Sequence, residues 1–142
     1  MLNVIIIAIL LLQVQPALTP HLGAYRGTVR NAAGVAQLGT AEAVTTTVTL
    51  SQTKDSLQLS AISRSGTKVV LGAWPNTRVK VSGNAITASG VKQGPLSIRR
   101  SLTWTLSGGI RVTATLTTHG TTTATDGFFG GKVVSMTLLK VR

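Results

Sequence analysis

The sequence predicts an all-β protein: a single small antiparallel barrel of about eight strands over residues 20–142, preceded by a signal-like hydrophobic segment at 1–19. Three observations predict it. Apolar and polar residues alternate with a period of two through most of the chain after Tyr25, most legibly in Leu102–Thr117, LTWTLSGGIRVTATLT. Turn-forming residues interrupt that alternation after runs of roughly 6 to 8 residues. Beyond the N-terminal run, no segment repeats its apolar residues about every 3.6 positions, as a helix packed on a core would.

The elements follow in chain order. Val4–Leu12 is an unbroken run of nine aliphatic residues. Crossing a bilayer as a helix takes about 20, so the run has instead the length of a signal-peptide core, with Ala17 and Thr19 as candidate cleavage positions. No Lys or Arg precedes it, which is atypical for a signal. The chain is expected to be exported, periplasmic or extracellular, with no integral membrane span once processed. The alternative is a buried N-terminal strand or helix of the fold.

Tyr25–Arg30 is the first predicted strand, and 31–40, with Gly34 and Gly39, is a loose connection. Val44, Thr46, Val48 and Leu50 then alternate with Thr45, Thr47, Thr49 and Ser51. Lys54–Ser56 turns the chain into Leu57–Ile62, and Arg64–Gly66 turns it again into Lys68–Leu71. Trp74–Asn76 is expected to break the pattern, because proline cannot donate to a sheet ladder. Thr77–Val81 alternates Val79 and Val81 with Arg78 and Lys80, and Ala85–Ser89 follows a Ser-Gly-Asn turn. Gly90–Pro95 reads as a connection. Leu96–Arg100 leads into the hairpin of Leu102–Thr117, where Gly108 and Gly109 supply the positive φ angles of a tight turn. A polar loop at 119–131 holds Phe128 and Phe129, and Lys132–Val141 is the last strand.

Short turns favour pairing between sequence neighbours, hence an up-and-down barrel; the alternative is a β-sandwich, for which only 31–40 and 119–131 are long enough to cross over. Closure also removes edges that a chain rich in Thr and Val would expose to edge-to-edge pairing. A barrel spanning an outer membrane would need an apolar lipid face with aromatic girdles. Here the clearest strands carry Thr and Arg on one face, and aromatic residues are only 4% of the chain. In the last strand neither face is cleanly apolar, which fits a partly polar lumen or a strand covered on both sides.

Gly23-Ala24-Tyr25 resembles the opening of the calycin-type barrels, the avidin and lipocalin group, where Gly-x-Trp begins the first strand. The resemblance implies that Tyr25 replaces that Trp at a closed barrel end, packed against a cation from the last strand, Lys140 or Arg142. The cadence of 120–142 is similar to the close of such a barrel. The ligand-stacking tryptophans of the avidin pattern are mostly missing, Trp74 and Trp104 being the only two, so the resemblance implies an architecture and no ligand.

Composition bounds the function. The chain has 142 residues, enough for one domain with its own core. The absence of cysteine excludes disulfides, thiolate metal sites and thiol nucleophiles. Two His and three acids are scattered without ligand spacing, so no metal or other cofactor is expected. Catalysis would have to draw on Glu42, Asp55, Asp126, His21 and His119. Asp55 and Asp126 sit in turn contexts that favour Asp for backbone reasons, and no nucleophile-elbow motif accompanies His119, so no enzyme is expected.

Fourteen Lys and Arg against three Asp and Glu give a net charge of +11, which attracts polyanions with strong salt dependence. Arg78, Lys80, Arg99, Arg100 and Arg111 are the candidate polyanion-binding residues, with alternation placing Arg78, Lys80, Arg99 and Arg111 on an outer face. Nucleic-acid binding is supported by charge and poorly by stacking, because few aromatics interleave with the cations. Trp74, Trp104, Phe128 and Phe129 are the candidate ligand-contact residues, the two phenylalanines forming a barrel plug or a contact loop. The expected function is a non-catalytic exported barrel, a binding or structural module of a cell envelope or secreted assembly, its partner an anionic envelope polymer or a protein. The alternatives are a carrier of a small apolar ligand in the lumen, which needs a hollow interior, and a polyanion binder using the basic outer face.

Overall fold

Ten strands form one antiparallel sheet in the computed structural model, which describes residues 17–30, 43–63, 65–90, 92–93, 98–119 and 132–142. The strands are β1 Gly23–Arg30, β2 Ala43–Gln52, β3 Ser56–Ile62, β4 Lys68–Pro75, β5 Val79–Ser82, β6 Ala85–Ala88, β7 Lys92–Gln93, β8 Ile98–Ser107, β9 Arg111–His119 and β10 Lys132–Lys140. Their order is β4-β3-β2-β1-β10-β9-β8-β6-β5, with β7 also paired to β8. The sheet is a nearly closed barrel, and consecutive strands pair with each other except β4 with β5 and β6 with β7.

The closure runs through the chain itself. β4 and β5, the two ends of that order, run in the same direction and are joined by a 3-10 turn at Asn76–Arg78. Asn76 N still donates to Asp55 O at 2.9 Å, extending the ladder with β3, and Ser89 N already donates to Arg78 O at 3.0 Å, starting the ladder with β6. The stretch 68–82 is thus a kinked strand that hands over from one partner to the other, and β6 and β7 likewise share one side of β8. Counted this way the barrel has eight sides, as the sequence rhythm predicts.

Three details differ from expectation. Trp74 and Pro75 belong to β4, and the break falls after them; an edge strand tolerates proline because its outward backbone has no ladder to serve. Arg78 consequently lies in the turn and not on a strand. The stretch 90–95, read as a connection, contains the two-residue β7. The 3-10 turn Thr19–His21 was not expected at all.

Inside the barrel the alternate residues form one core: Tyr25 and Val29 of β1, Val48 and Leu50 of β2, Leu57 and Leu59 of β3, Trp74 of β4, Ile86 of β6, and the apolar residues of the β8–β10 sheet. The β8–β9 connection is the three residues Gly108–Ile110, with φ +60° at Gly108 and +72° at Gly109, positive angles that suit a tight hairpin turn. Gly72 is needed for space: its missing Cβ leaves room for the Trp74 indole, which folds back over it. The Trp74 Nε1 then donates to the Arg100 carbonyl at 2.6 Å, where the β8 ladder passes from β6 to β7. In β10 the inward set Val134, Met136 and Leu138 is buried, while Val133 and Leu139 are about half exposed, so this strand is not covered on both sides.

Candidate functional site

The candidate ligand-contact residues divide at once. Trp74 and Trp104 are fully buried in the core. Trp104 meets Tyr25 edge to face, ring centroids 5.1 Å apart, and its Nε1 has no partner among the described residues. The space that a lumenal ligand would take is, at this level of the barrel, filled by these rings. Phe128 and Phe129 lie outside the described residues, as do Glu42 and Asp126. His119 ends β9, and among the described residues no group of three or more His, Asp and Glu could hold a metal ion.

One end of the barrel is plugged by the chain that enters it. Leu18 is fully buried, and Thr19–His21 turns so that His21 is buried as well. Gly23, with φ +138°, starts β1 in a conformation that disfavours a side chain, and a Cβ there would press on Lys140. Tyr25 donates its hydroxyl to the His21 carbonyl at 2.7 Å. Lys140 lies with Nζ 5.9 Å from the centre of the Tyr25 ring and donates to the Pro20 carbonyl at 3.2 Å. The pairing of Tyr25 with a cation of the last strand is therefore present, made by Lys140. Burial pushes the Tyr25 hydroxyl's pKa up. Burial holds the His21 imidazole below its ordinary value, the Lys140 charge adding to the effect against a hydrogen bond to the Gly83 backbone; His21 Nδ1 has no partner among the described residues.

The outer face is a different surface. Register brings Thr105, Thr113, Thr137, Thr28 and Thr45, one from each of β8, β9, β10, β1 and β2, into a single rank around the barrel. The next rank reads Lys80, Thr87, Thr103, Thr115, Ser135 and Arg30. Strand spacing sets these side chains about 4.8 Å apart within a rank, and the pleat sets successive ranks about 6.8 Å apart. A shallow depression of about 260 Å³ lies over the middle of the array, lined by Thr103, Thr105, Thr113, Thr115, Ser135 and Thr137. Each hydroxyl both donates and accepts, so the array suits a partner rich in oxygen atoms.

Cations border the array. Lys80 and Arg30 are exposed at the two ends of its second rank. Arg78 is exposed one rank further, its guanidinium donating to the Gly90 carbonyl at 3.3 Å. Arg111 and Arg26 are exposed in the rank on the other side, Arg26 donating to Thr47 Oγ1 at 3.3 Å. Arg99 is exposed further along β8. Arg100 is the exception among the sequence candidates. It shares its side of β8 with Leu102 and Trp104 and is half-buried, and burial lowers its pKa. Asp55 is the one carboxylate side chain among the described residues, and it sits in the β2–β3 turn away from the array.

The structure thus brings Arg78, Lys80 and Arg111 around a hydroxyl surface and turns Arg100 away from it. Arg26, Arg30 and the threonine ranks are what the sequence reading missed. Their outward orientation is implicit in the alternation, whereas their alignment is visible only once the strand pairing is known. Comparison with protein families, with characterised proteins and with solved structures finds no match to this chain.

Proposed function

We propose that this chain is an exported binding module whose outer face takes an anionic polymer, with the barrel interior given over to the fold. The observation that carries this reading is the register that sets two ranks of hydroxyls between Lys80, Arg78, Arg30, Arg26 and Arg111, with no carboxylate side chain among the described residues of that surface. Arg and Lys supply charge attraction and counterion release, and Thr and Ser hydroxyls are ordinary donors to phosphate or sulfate oxygens that fix position without reading sequence. Such binding is built from many weak contacts and involves no reaction. The signal-like run at 4–12 supports export. Carriage of an apolar ligand is the weaker reading, because Trp74, Trp104 and Tyr25 occupy the volume it requires.

Retention on immobilised heparin and on single-stranded nucleic acid tests the proposal. Binding at about 50 mM salt that falls steeply by about 200 mM is expected. Arg30→Gln and Lys80→Gln should each reduce the salt slope by about one. Passage of the protein through both columns at low salt would overturn the reading, as would unchanged retention in the two variants. The stronger of the two columns identifies the polymer class.

A further inference from the structure

We propose that the plugged end of the barrel carries a second contact surface, one that docks on an anionic lipid bilayer. Leu139 and Val141, two residues apart at the end of β10, are 52% and 48% exposed, and Ile110 beside them is 45% exposed. These are half of the large hydrophobic side chains that the described surface leaves bare, and they share one end. Pairing holds them there: Lys140 N donates to Ile110 O at 2.7 Å, and Val141 N to Ala24 O at 2.8 Å.

Their neighbours are cations. The cross-strand partners of Leu139 are Arg111 on one side and Arg26 on the other, both exposed, and exposed Arg142 follows Val141. No acidic residue occurs in β1, β9 or β10. Aliphatic side chains ringed by guanidinium groups complement an anionic membrane surface on both counts. The arginines meet headgroup phosphates and the leaflet's negative potential, while the aliphatic tips enter the boundary beneath them. An acidic soluble polymer would use the arginines and leave Leu139 and Val141 in water. The rigid plug makes this end a firm platform, since Tyr25, Lys140 and the 17–22 segment are tied together by the bonds described above.

Co-sedimentation of the full chain with vesicles tests the surface. Two compositions serve: phosphatidylcholine alone, and phosphatidylcholine with an equal part of phosphatidylglycerol. Binding to the mixed vesicles only, lost at high salt, is expected. Leu139→Thr with Val141→Thr keeps strand propensity and should weaken it about tenfold, leaving heparin retention and the melting curve unchanged. Three results would overturn the proposal: no binding to the mixed vesicles; binding indifferent to headgroup charge and to the double variant, which would assign it to residues 4–12; or a dimer in solution that the double variant dissociates, which would make the patch a self-contact. Vesicle binding without heparin retention would instead sink the polymer reading and leave this one standing.

Discussion

Along β9 the side chains of Val112, Ala114 and Leu116 are buried, and those of Arg111, Thr113 and Thr115 lie in solvent. The same division holds for Leu102 and Trp104 against Thr103 and Thr105 on β8, and for Met136 and Leu138 against Thr137 and Leu139 on β10. The two faces belong to one backbone, yet they answer to different constraints. Inside, neighbouring side chains fix one another's volume, so few alternatives fit. Outside, β-branched threonine satisfies the strand and leaves the hydroxyl pattern free to be set by a partner. Stability should therefore track the inner face and binding the outer one, and substitutions can be chosen to break that separation.

The largest expected effect is on the inside. Trp104→Ala should cost about 3–5 kcal/mol, because it empties the volume against Tyr25, and chemical denaturation would measure it. Thr113→Ala, on the strand that faces Trp104 across the β8–β9 ladder, should cost less than about 1 kcal/mol. Equal costs would erase the distinction between the faces.

The proposed export bears on the boundary of the inner face. Leu18, part of the plug, is fully buried and Ala17 is exposed, so cleavage after Ala17 leaves the core whole. Removal of Leu18 by cleavage after Thr19 would cost about 1.5–3 kcal/mol. If the chain is exported as proposed, N-terminal sequencing of the processed protein is expected to begin at Leu18.

Tyr25→Phe keeps the ring under Lys140 and the edge contact with Trp104 but strands the His21 carbonyl. About 1 kcal/mol should be lost, read as a shift in the denaturation midpoint. The pH dependence at the same end has a definite sign. His21 has its folded pKa below its ordinary 6.5, so below that value the unfolded chain binds the proton first. The stability it contributes is fully present above 6.5 and declines as the pH falls. Melting curves from about pH 8 to about pH 5 should show the decline, and His21→Gln should flatten it. A melting point that rises on acidification would contradict the buried, neutral imidazole. The smallest stability effect belongs to Thr113→Val with Thr137→Val, two outward positions in one rank. These should leave the melting curve almost unmoved while weakening polymer retention.

Much of this division was legible in the sequence. Alternation places Trp104 inside and Arg111 outside, the Gly108–Gly109 pair marks its turn, and of the two cations that the calycin resemblance implies for Tyr25, Lys140 and Arg142, it is Lys140 that lies over the ring. Pairing was harder, because a period of two says which way a residue points and not which strand lies beside it. Hence the rank from Thr105 to Thr45 could not be read from the chain, and Arg30 and Arg26 went unremarked. Pro75 sets the expected break at 74–76, whereas the turn falls at Asn76–Arg78, since the tolerance of proline on an edge is a property of the sheet. The plug left no periodic trace: three residues of 3-10 turn carry too little pattern. Arg99 and Arg100 are both candidate polyanion contacts by sequence; alternation puts only Arg99 outside, and Arg100 is half-buried on the inner side of β8. Phe128 and Phe129, singled out as plug or contact loop, lie outside the described residues, and the plug that is present is made by Leu18 and His21.

The central claim is that the polymer meets the outer hydroxyl and cation array while the interior stays closed to it. Backbone amide shifts recorded during titration with a heparin oligosaccharide test it most directly. The account predicts that the perturbed amides map to Thr103, Thr105, Thr113, Thr115, Thr137 and Arg30, with those of Trp74 and Leu57 unmoved. Perturbations concentrated at Trp74, Trp104 and the other core positions, with the threonine ranks silent, would contradict it.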